Sequence, residues 1–167
     1  RVFDLIVVGR PLKDSVSPSM AALETALFEA GRPLLIAPPQ TPQVLGDNVL
    51  IAWNCSTETA RTVAFAMPIL TQAKRITVLQ VHQGTVPGPS AAELAHNLQR
   101  HGLAVEWRDT HPGEHSVGAA ILNEARSVGA DLIIKGAYTQ SRLRQMIFGG
   151  ATSHILAEAE LPVIAAN

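Results

Sequence analysis

Short apolar runs alternate with longer amphipathic stretches through most of the chain. Residues 49–53, 76–81, 132–136 and 162–166 are almost wholly apolar, which predicts buried strands. Residues 103–107 alternate apolar and polar side chains, which predicts a strand nearer the edge of a sheet. Strands that alternate with helices in this way favour a parallel sheet that is covered by helices on both faces, with right-handed crossovers.

The stretches between these strands carry helical signals. Ser56 and Ser90 are predicted N-caps, because a serine side chain accepts a hydrogen bond from the first turn of a helix. The helices that follow are predicted to end near Leu70 and Gly102. Residues 115–129 and 151–159 predict two more helices, so the region from residue 47 onward reads as one complete α/β unit.

The first 37 residues resemble the end of that same unit. Residues 4–9 nearly repeat residues 131–136, and residues 27–36 resemble residues 156–165. We therefore predict that residues 1–37 are the C-terminal part of a first repeat. The proline-rich residues 38–46 would be a linker, and residues 47–167 a complete second repeat.

The last strands of the two predicted repeats are expected to meet. Residues 33–37 and 162–166 are equivalent and apolar, and an open apolar edge strand is a liability. Antiparallel pairing would satisfy the backbone N–H and C=O groups of both strands, either within the chain or across a homodimer.

Composition narrows the classes of partner. The chain has 167 residues, of which 47% are hydrophobic, 16% charged and 4% aromatic, with a formal net charge of −1. No apolar run approaches the ~20 residues of a membrane span, and no Lys/Arg stripe indicates a nucleic-acid surface. The single cysteine, Cys55, fits a reducing compartment, so a cytoplasmic location is expected. A small molecule or another protein is the expected partner.

One loop contains candidate ligand-binding residues. The strand at residues 131–136 leads into a loop that ends at Gly149-Gly150, directly before the last predicted helix. Glycines at a helix N-terminus let free N–H groups and the helix dipole hold a phosphate. We expect phosphate contacts from the backbone of Gly149, Gly150 and Ala151. The structural alternative is that the glycines only allow tight packing of the helix on the sheet.

The same loop resembles the G-x2-G-x9-G-[ST] motif of the universal stress protein family. Gly136 opens the motif, Thr139 stands in place of its second glycine, and Gly149 and Gly150 end it. The strand that ends in Asn54 is similar to the family's first strand, in which an acid stands at that position. The resemblance covers residues 47–167 as a whole domain and residues 1–37 as the end of another, which is typical of tandem members.

The resemblance implies a fold and a ligand. The fold would be a five-stranded parallel sheet of doubly wound type, with strand order 3-2-1-4-5. The ligand would be ATP or another adenine nucleotide, with Mg²⁺ only as its companion. The implied nucleotide-binding residues are Ala52, Asn54, Val81, Gly136, Thr139, Arg142, Gly149, Gly150, Ala151 and Thr152.

Several of these residues also have structural interpretations. Asn54 could form an Asx turn before the following helix, Val81 could be plain core, and Arg142 with Arg144 could lie on a solvated loop. His111 and His115 lack further ligands for a zinc site.

No nucleophile motif or paired-carboxylate site is evident, so an enzyme is not expected beyond a slow ATPase. The leading hypothesis is a stress-linked regulatory module that binds an adenine nucleotide and acts on an unknown signalling partner. The alternative is a nucleotide-free module for dimerisation or protein interaction, with a structural loop.

Overall fold

The computed structural model describes residues 2–11, 20–137 and 150–167. The start of the first helix, predicted at Ser17-Pro18, lies outside these residues. The described strands are β1 (Ile6–Gly9), β2 (Leu34–Ala37), β3 (Asn48–Trp53), β4 (Arg75–Val81), β5 (Val105–Thr110), β6 (Leu132–Gly136) and β7 (Val163–Ala166). They alternate with the helices α1 (Met20–Glu29), α2 (Thr57–Leu70), α3 (Ala91–Arg100), α4 (Val117–Ser127) and α5 (Ala151–Glu158).

The predicted helix caps are present. The hydroxyl of Ser56 accepts a hydrogen bond from the N–H of Thr59. At the start of α3, the side chains and backbone of Ser90 and Glu93 form a capping box, in which each side chain bonds to the backbone of the other residue. These local hydrogen bonds explain why α2 and α3 begin where the sequence predicted.

All the strands belong to one seven-stranded sheet in the order β1-β2-β7-β6-β3-β4-β5. The predicted five-stranded sheet of order 3-2-1-4-5 is therefore wrong in its extent. The strands from residue 48 onward run as β5-β4-β3-β6-β7. The two strands of the first 37 residues, β1 and β2, extend the same sheet. β2 pairs with β7, so β7 is not an edge strand.

The junction between β2 and β7 is antiparallel, whereas every other neighbouring pair is parallel. Leu34 lies opposite Ala165, and Ile36 lies opposite Val163. Residues 33–37 and 162–166 thus lie side by side within one chain. The guanidinium of Arg10 adds a link by donating a hydrogen bond to the carbonyl of Ala157, in the last turn of α5. A cation at this position also complements the negative end of the helix dipole.

Helices cover both faces of the sheet. On one face the core is formed with α1, α4 and α5, through buried residues such as Leu23, Ile121 and Ile155. On the other face α2 and α3 contribute Val63 and Leu98 among others. Among residues 2–11, 20–137 and 150–167, no helix combines the length and apolarity needed to cross a lipid bilayer.

The fifth strand differs from its prediction over residues 103–107. It runs over Val105–Thr110 and includes exposed polar residues. Leu103 precedes the strand and packs against the core. Because β5 is an edge strand, its position is fixed by pairing with β4, and its own apolar residues are a poor guide.

Candidate functional site

A pocket of about 630 Å³ opens beyond the carboxyl ends of β3, β4 and β6. Trp53, Val81 and Gly136 mark the ends of these strands and line it. The strand order reverses at β3, because the sheet continues through β4 and β5 on one side of it and through β6 and β7 on the other. Doubly wound sheets bind their ligands in the crevice at such a point. The pocket volume lies within the range of small-molecule sites.

The structure gathers most of the predicted site residues around this pocket. The lining includes Ala52, Asn54, Val81, Gly136, Gly150, Ala151 and Thr152. Thr139, Arg142 and Gly149 lie outside the described residues. Ala52 and Val81 are buried and also belong to the core, so the pocket shares its apolar wall with the interior of the sheet.

Asn54 forms the predicted Asx turn while it lines the pocket. Its Oδ1 accepts a hydrogen bond from the N–H of Ser56 at 3.3 Å and another from the hydroxyl of Thr59. The carbonyl oxygen of its side chain is therefore used to set the start of α2. The structural interpretation accounts for this oxygen, and Asn54 also lies on the pocket wall.

Gly136 brings α2 close to the end of β6. Its N–H donates to the hydroxyl of Thr59 at 3.2 Å. A Cβ at this position would lie 2.5 Å from the backbone nitrogen of Thr59, closer than any real contact. The residue must therefore be glycine for packing alone. This close approach places the first turn of α2 on the pocket wall, through Glu58.

The N-terminus of α5 faces the pocket through Gly150, Ala151 and Thr152. Gly150 is the N-cap, with a φ of 111°, a conformation that favours glycine. It supplies no side chain to cap the helix. Gly118 of α4 lets the two helices approach, because a Cβ there would lie 2.7 Å from the Cβ of His154. Packing of α4 on α5 thus positions the helix terminus at the pocket.

Sequence reasoning missed a buried cation, Lys135, that lines the same pocket. The side chain is only 7% exposed, although it stands in a strand that is otherwise apolar. Its Nζ donates to the carbonyl of Gly136 at 2.6 Å and to the hydroxyl of Thr152 at 2.8 Å. Burial lowers the pKa of Lys135 from its ordinary 10.5 to about 8. A lysine inside a buried strand was the signal that could have revealed it, since lysine is rarely buried.

A carboxylate was missed as well. Glu58, in the first turn of α2, is 7% exposed and lines the pocket. The sequence did not single it out, because an acid in the first turn of a helix is already explained by its favourable interaction with the helix dipole. The remaining lining residues that the sequence did not single out as site residues are Trp53, Ser56, Leu79, Gln83, Gly84, Thr85, Val86, Ser116, Val117, Ile121, Ala137 and His154.

Cys55 lies in the turn between β3 and α2, between the pocket-lining residues Asn54 and Ser56. Its φ of 65° is unusual for a residue other than glycine. Burial raises the pKa of its thiol, with a further contribution from the charge of Asp109. A raised pKa disfavours the thiolate, so a reactive cysteine is not indicated.

No cluster of three or more metal-binding side chains occurs in the part of the chain that the structure describes. Glu58 is a carboxylate of the kind that holds Mg²⁺ together with the phosphates of a nucleotide. Glu58 is the carboxylate that the described pocket lining offers as a metal ligand.

Comparison with known proteins places the chain in a family. The sequence profile of the universal stress protein family matches residues 46–167. The chain belongs to the universal stress protein family. None of the curated proteins matches its sequence.

Solved structures show the universal stress protein fold at low sequence identity. A universal stress protein from Archaeoglobus fulgidus DSM 4304 has a TM-score of 0.71 and 17% identity, with 98% of this chain and 60% of that chain covered. A functionally unknown protein from Pseudomonas aeruginosa PAO1 has a TM-score of 0.61 and 16% identity, with 98% and 62% covered. This chain thus spans about three fifths of the length of these two proteins.

A second structure from Archaeoglobus fulgidus matches a smaller part of this chain. This universal stress protein has a TM-score of 0.54 and 19% identity, with 72% of this chain and 93% of that chain covered. The similarity to these solved structures establishes the fold. Function has to be inferred from the residues of the pocket.

Proposed function

We propose that this universal stress protein is a regulatory module that binds ATP or another adenine nucleotide in the pocket at the carboxyl edge of β3, β4 and β6. The observation that carries the proposal is the convergence of three features in one cavity of about 630 Å³. These are an apolar wall, a helix N-terminus without a side-chain cap, and a buried ammonium group.

The apolar wall suits a planar base. Ala52, Leu79 and Val81 are buried at the ends of adjacent strands and line the pocket. Val86, on the loop after β4, lies at the rim and is 37% exposed. Pockets for small ligands combine such apolar surfaces with a few polar groups that orient the ligand.

The polar side of the pocket suits phosphates. The first residues of α5 present backbone N–H groups, and Lys135 contributes a positive charge beside them. Anions are stabilised at helix N-termini by these donors and by the helix dipole. When bound with a nucleotide, Mg²⁺ would neutralise phosphate charge, and Glu58, which lines the pocket, would be its carboxylate ligand.

The proposal includes a tandem origin for the chain. The β1-α1-β2 unit has the same order and parallel pairing as the β6-α5-β7 unit, and their last strands pair antiparallel. This arrangement supports residues 1–37 as the end of a first repeat.

The test is direct. Mass analysis of small molecules released from the natively purified protein should reveal an adenine nucleotide, and calorimetric titration should show ATP binding. Val86→Trp fills the pocket from its rim and should weaken ATP binding by about tenfold or more. Val44→Trp is the matched control, because Val44 is 48% exposed and is not part of the pocket. Absence of both bound nucleotide and ATP binding at millimolar concentration would overturn the proposal.

A further inference from the structure

The environment of Lys135 is unusual for a charged group. The residue lies between Ala52 of β3 and Ala165 of β7 in the sheet register, so its flanking positions offer only methyl groups. It faces the same side of the sheet as Ile133, which is buried in the core. Burial of a cation in such surroundings is unfavourable unless a partner stabilises the charge.

The partners that the structure shows are neutral. The Gly136 carbonyl and the Thr152 hydroxyl accept two of the three hydrogen-bond donors of the ammonium group. Within the described residues, no carboxylate forms an ion pair with Lys135. Glu58 lines the same pocket, but it is not paired with Lys135. The positive charge therefore lacks a counter-charge in the part of the chain that the structure describes.

A second positive feature lies at the same place. Thr152 is the second residue of α5, so its contact with Nζ brings the ammonium to the positive end of the helix dipole. Gly150 provides no side chain to satisfy the first N–H groups of that helix. Two positive features that would repel each other thus converge on one cavity, and an anion between them would be stabilised by both.

We infer that Lys135 and Thr152 form an anion-binding corner that makes the pocket select ligands by a phosphoryl group. The inference rests on the proposed function and names the part of the ligand that decides affinity. Lys135 supplies the charge and its remaining donor, and Thr152 holds the ammonium against the first turn of α5. The base of a nucleotide would contribute binding energy on the apolar wall without discriminating between a nucleoside and its phosphates.

Two further titratable side chains line the pocket among the residues that the structure describes. Glu58 on α2 and His154 on α5 line it together with Lys135. Burial lowers the pKa of Lys135 to about 8, so its ammonium is lost at moderately alkaline pH. A fall in anion affinity between pH 7.5 and 9.5 would therefore report the deprotonation of Lys135.

The experiment compares ATP, adenosine and inorganic tripolyphosphate by calorimetry. Lys135→Met keeps the length of the side chain and removes its charge. It should weaken ATP and tripolyphosphate binding by about tenfold or more and leave adenosine binding within about twofold. Lys135→Arg should retain part of the ATP affinity. Lys74→Met is the control, because Lys74 is exposed and paired with Asp47 away from the pocket.

The pH profile of the wild-type protein keeps the test independent of whether Lys135→Met folds. ATP affinity should fall from pH 7.5 to 9.5, whereas adenosine affinity should stay constant. Equal losses for ATP and adenosine, or an unchanged ATP affinity in both the variant and the pH series, would overturn the inference while leaving nucleotide binding intact. If ATP and adenosine fail to bind but tripolyphosphate binds through Lys135, the anion-binding corner is confirmed and the proposed function is contradicted. If neither ATP nor tripolyphosphate binds, both the anion-binding corner and the proposed function are contradicted.

Discussion

The side-chain Oδ2 of Asp131 accepts a hydrogen bond from the backbone N–H of Asn48 at 3.0 Å. The same carboxylate also accepts hydrogen bonds from the N–H groups of Gly46 at 2.7 Å and Asp47 at 3.1 Å. One acid at the start of β6 thus holds the start of β3, more than eighty residues away along the chain. Hydrogen bonds to a charged acceptor are stronger than those to a neutral one.

Replacing Asp131 with alanine should therefore lower the free energy of unfolding by about 2 kcal/mol or more, because three backbone donors lose their acceptor. Urea denaturation measures the change. Asp47→Ala is the control: its ion pair with Lys74 is exposed, so its loss should cost less than about 1 kcal/mol. Similar losses in the two variants would contradict this role for Asp131.

The antiparallel junction gives a second prediction. Ala165 lies opposite Leu34, and Ala165→Pro removes a backbone N–H from this ladder. Amide exchange should accelerate at residues 34–37 and remain slow at residues 49–53, because β3 does not contact this junction. Ala165→Gly, which keeps the N–H, should change the exchange much less. Uniform exchange across both regions would show that the sheet opens as one unit.

Gly136 tests how tightly α2 packs on the end of β6. Gly136→Ala places a methyl group 2.5 Å from the Thr59 nitrogen, so the start of α2 must move. We expect a loss of about 1–3 kcal/mol in stability and a weaker affinity for ATP, since the pocket wall moves with the helix. Gly102→Ala is the comparison: its Cβ meets open space, although its φ of 80° is strained for alanine. It should lower stability by about 1 kcal/mol and leave ATP affinity unchanged.

The pH dependence of stability gives a prediction for Lys135 that needs no ligand. Its pKa is about 8 in the folded chain and near 10.5 in the unfolded chain. Between these values the unfolded chain binds more protons, so the free energy of unfolding rises with pH. Relative to Lys135→Met, the wild type should gain stability from pH 8 to 10.5, by up to about 3 kcal/mol. A constant difference between the two proteins across this range would place the ammonium in a better solvated site.

Hydrolysis of ATP should be slow. Glu58 is the carboxylate of the described pocket, and it lies on the first turn of α2 beside no second acid or catalytic triad. Steady-state turnover should stay below ~1 s⁻¹, the lower end of ordinary enzyme rates. A phosphate-release assay measures it, with Glu58→Gln as the variant that should change Mg²⁺ dependence. Faster turnover that Glu58→Gln abolishes would identify an enzyme.

The sequence predicted those parts of the fold that local signals determine. The hydroxyls of Ser56 and Ser90 start their helices through bonds within one turn, and β6 occupies residues 132–136 as predicted. The repeat pattern predicted that residues 33–37 pair antiparallel with residues 162–166, but the count of five strands was given to residues 47–167 alone, because local signals do not show how strands distant in sequence join one sheet. The edge strand β5 was misplaced for the same reason.

The candidate site shows the same division. Glycines and strand ends can be recognised from spacing, so Gly136, Gly150 and Val81 were named and all line the pocket. Lys135 was overlooked because a single charged residue within an apolar strand is read as an exception to the pattern and not as a candidate site residue. Its contact with Thr152 depends on how α5 packs across the end of β6, which a linear pattern does not contain.

The reversal of direction at β7 has a geometric consequence for access to the molecule. The carboxyl ends of β3, β4 and β6 open at the rim where the pocket lies, whereas β1 and β2 end at the opposite rim, because β2 runs against β7. A molecule that docks beyond Gly9 or Ala37 therefore approaches from the far side and cannot obstruct entry of a ligand at Gly136. Two described connections join the rims: the pairing of β2 with β7, and the hydrogen bond from Arg10 to Ala157 of α5, the helix whose N-terminus lines the pocket.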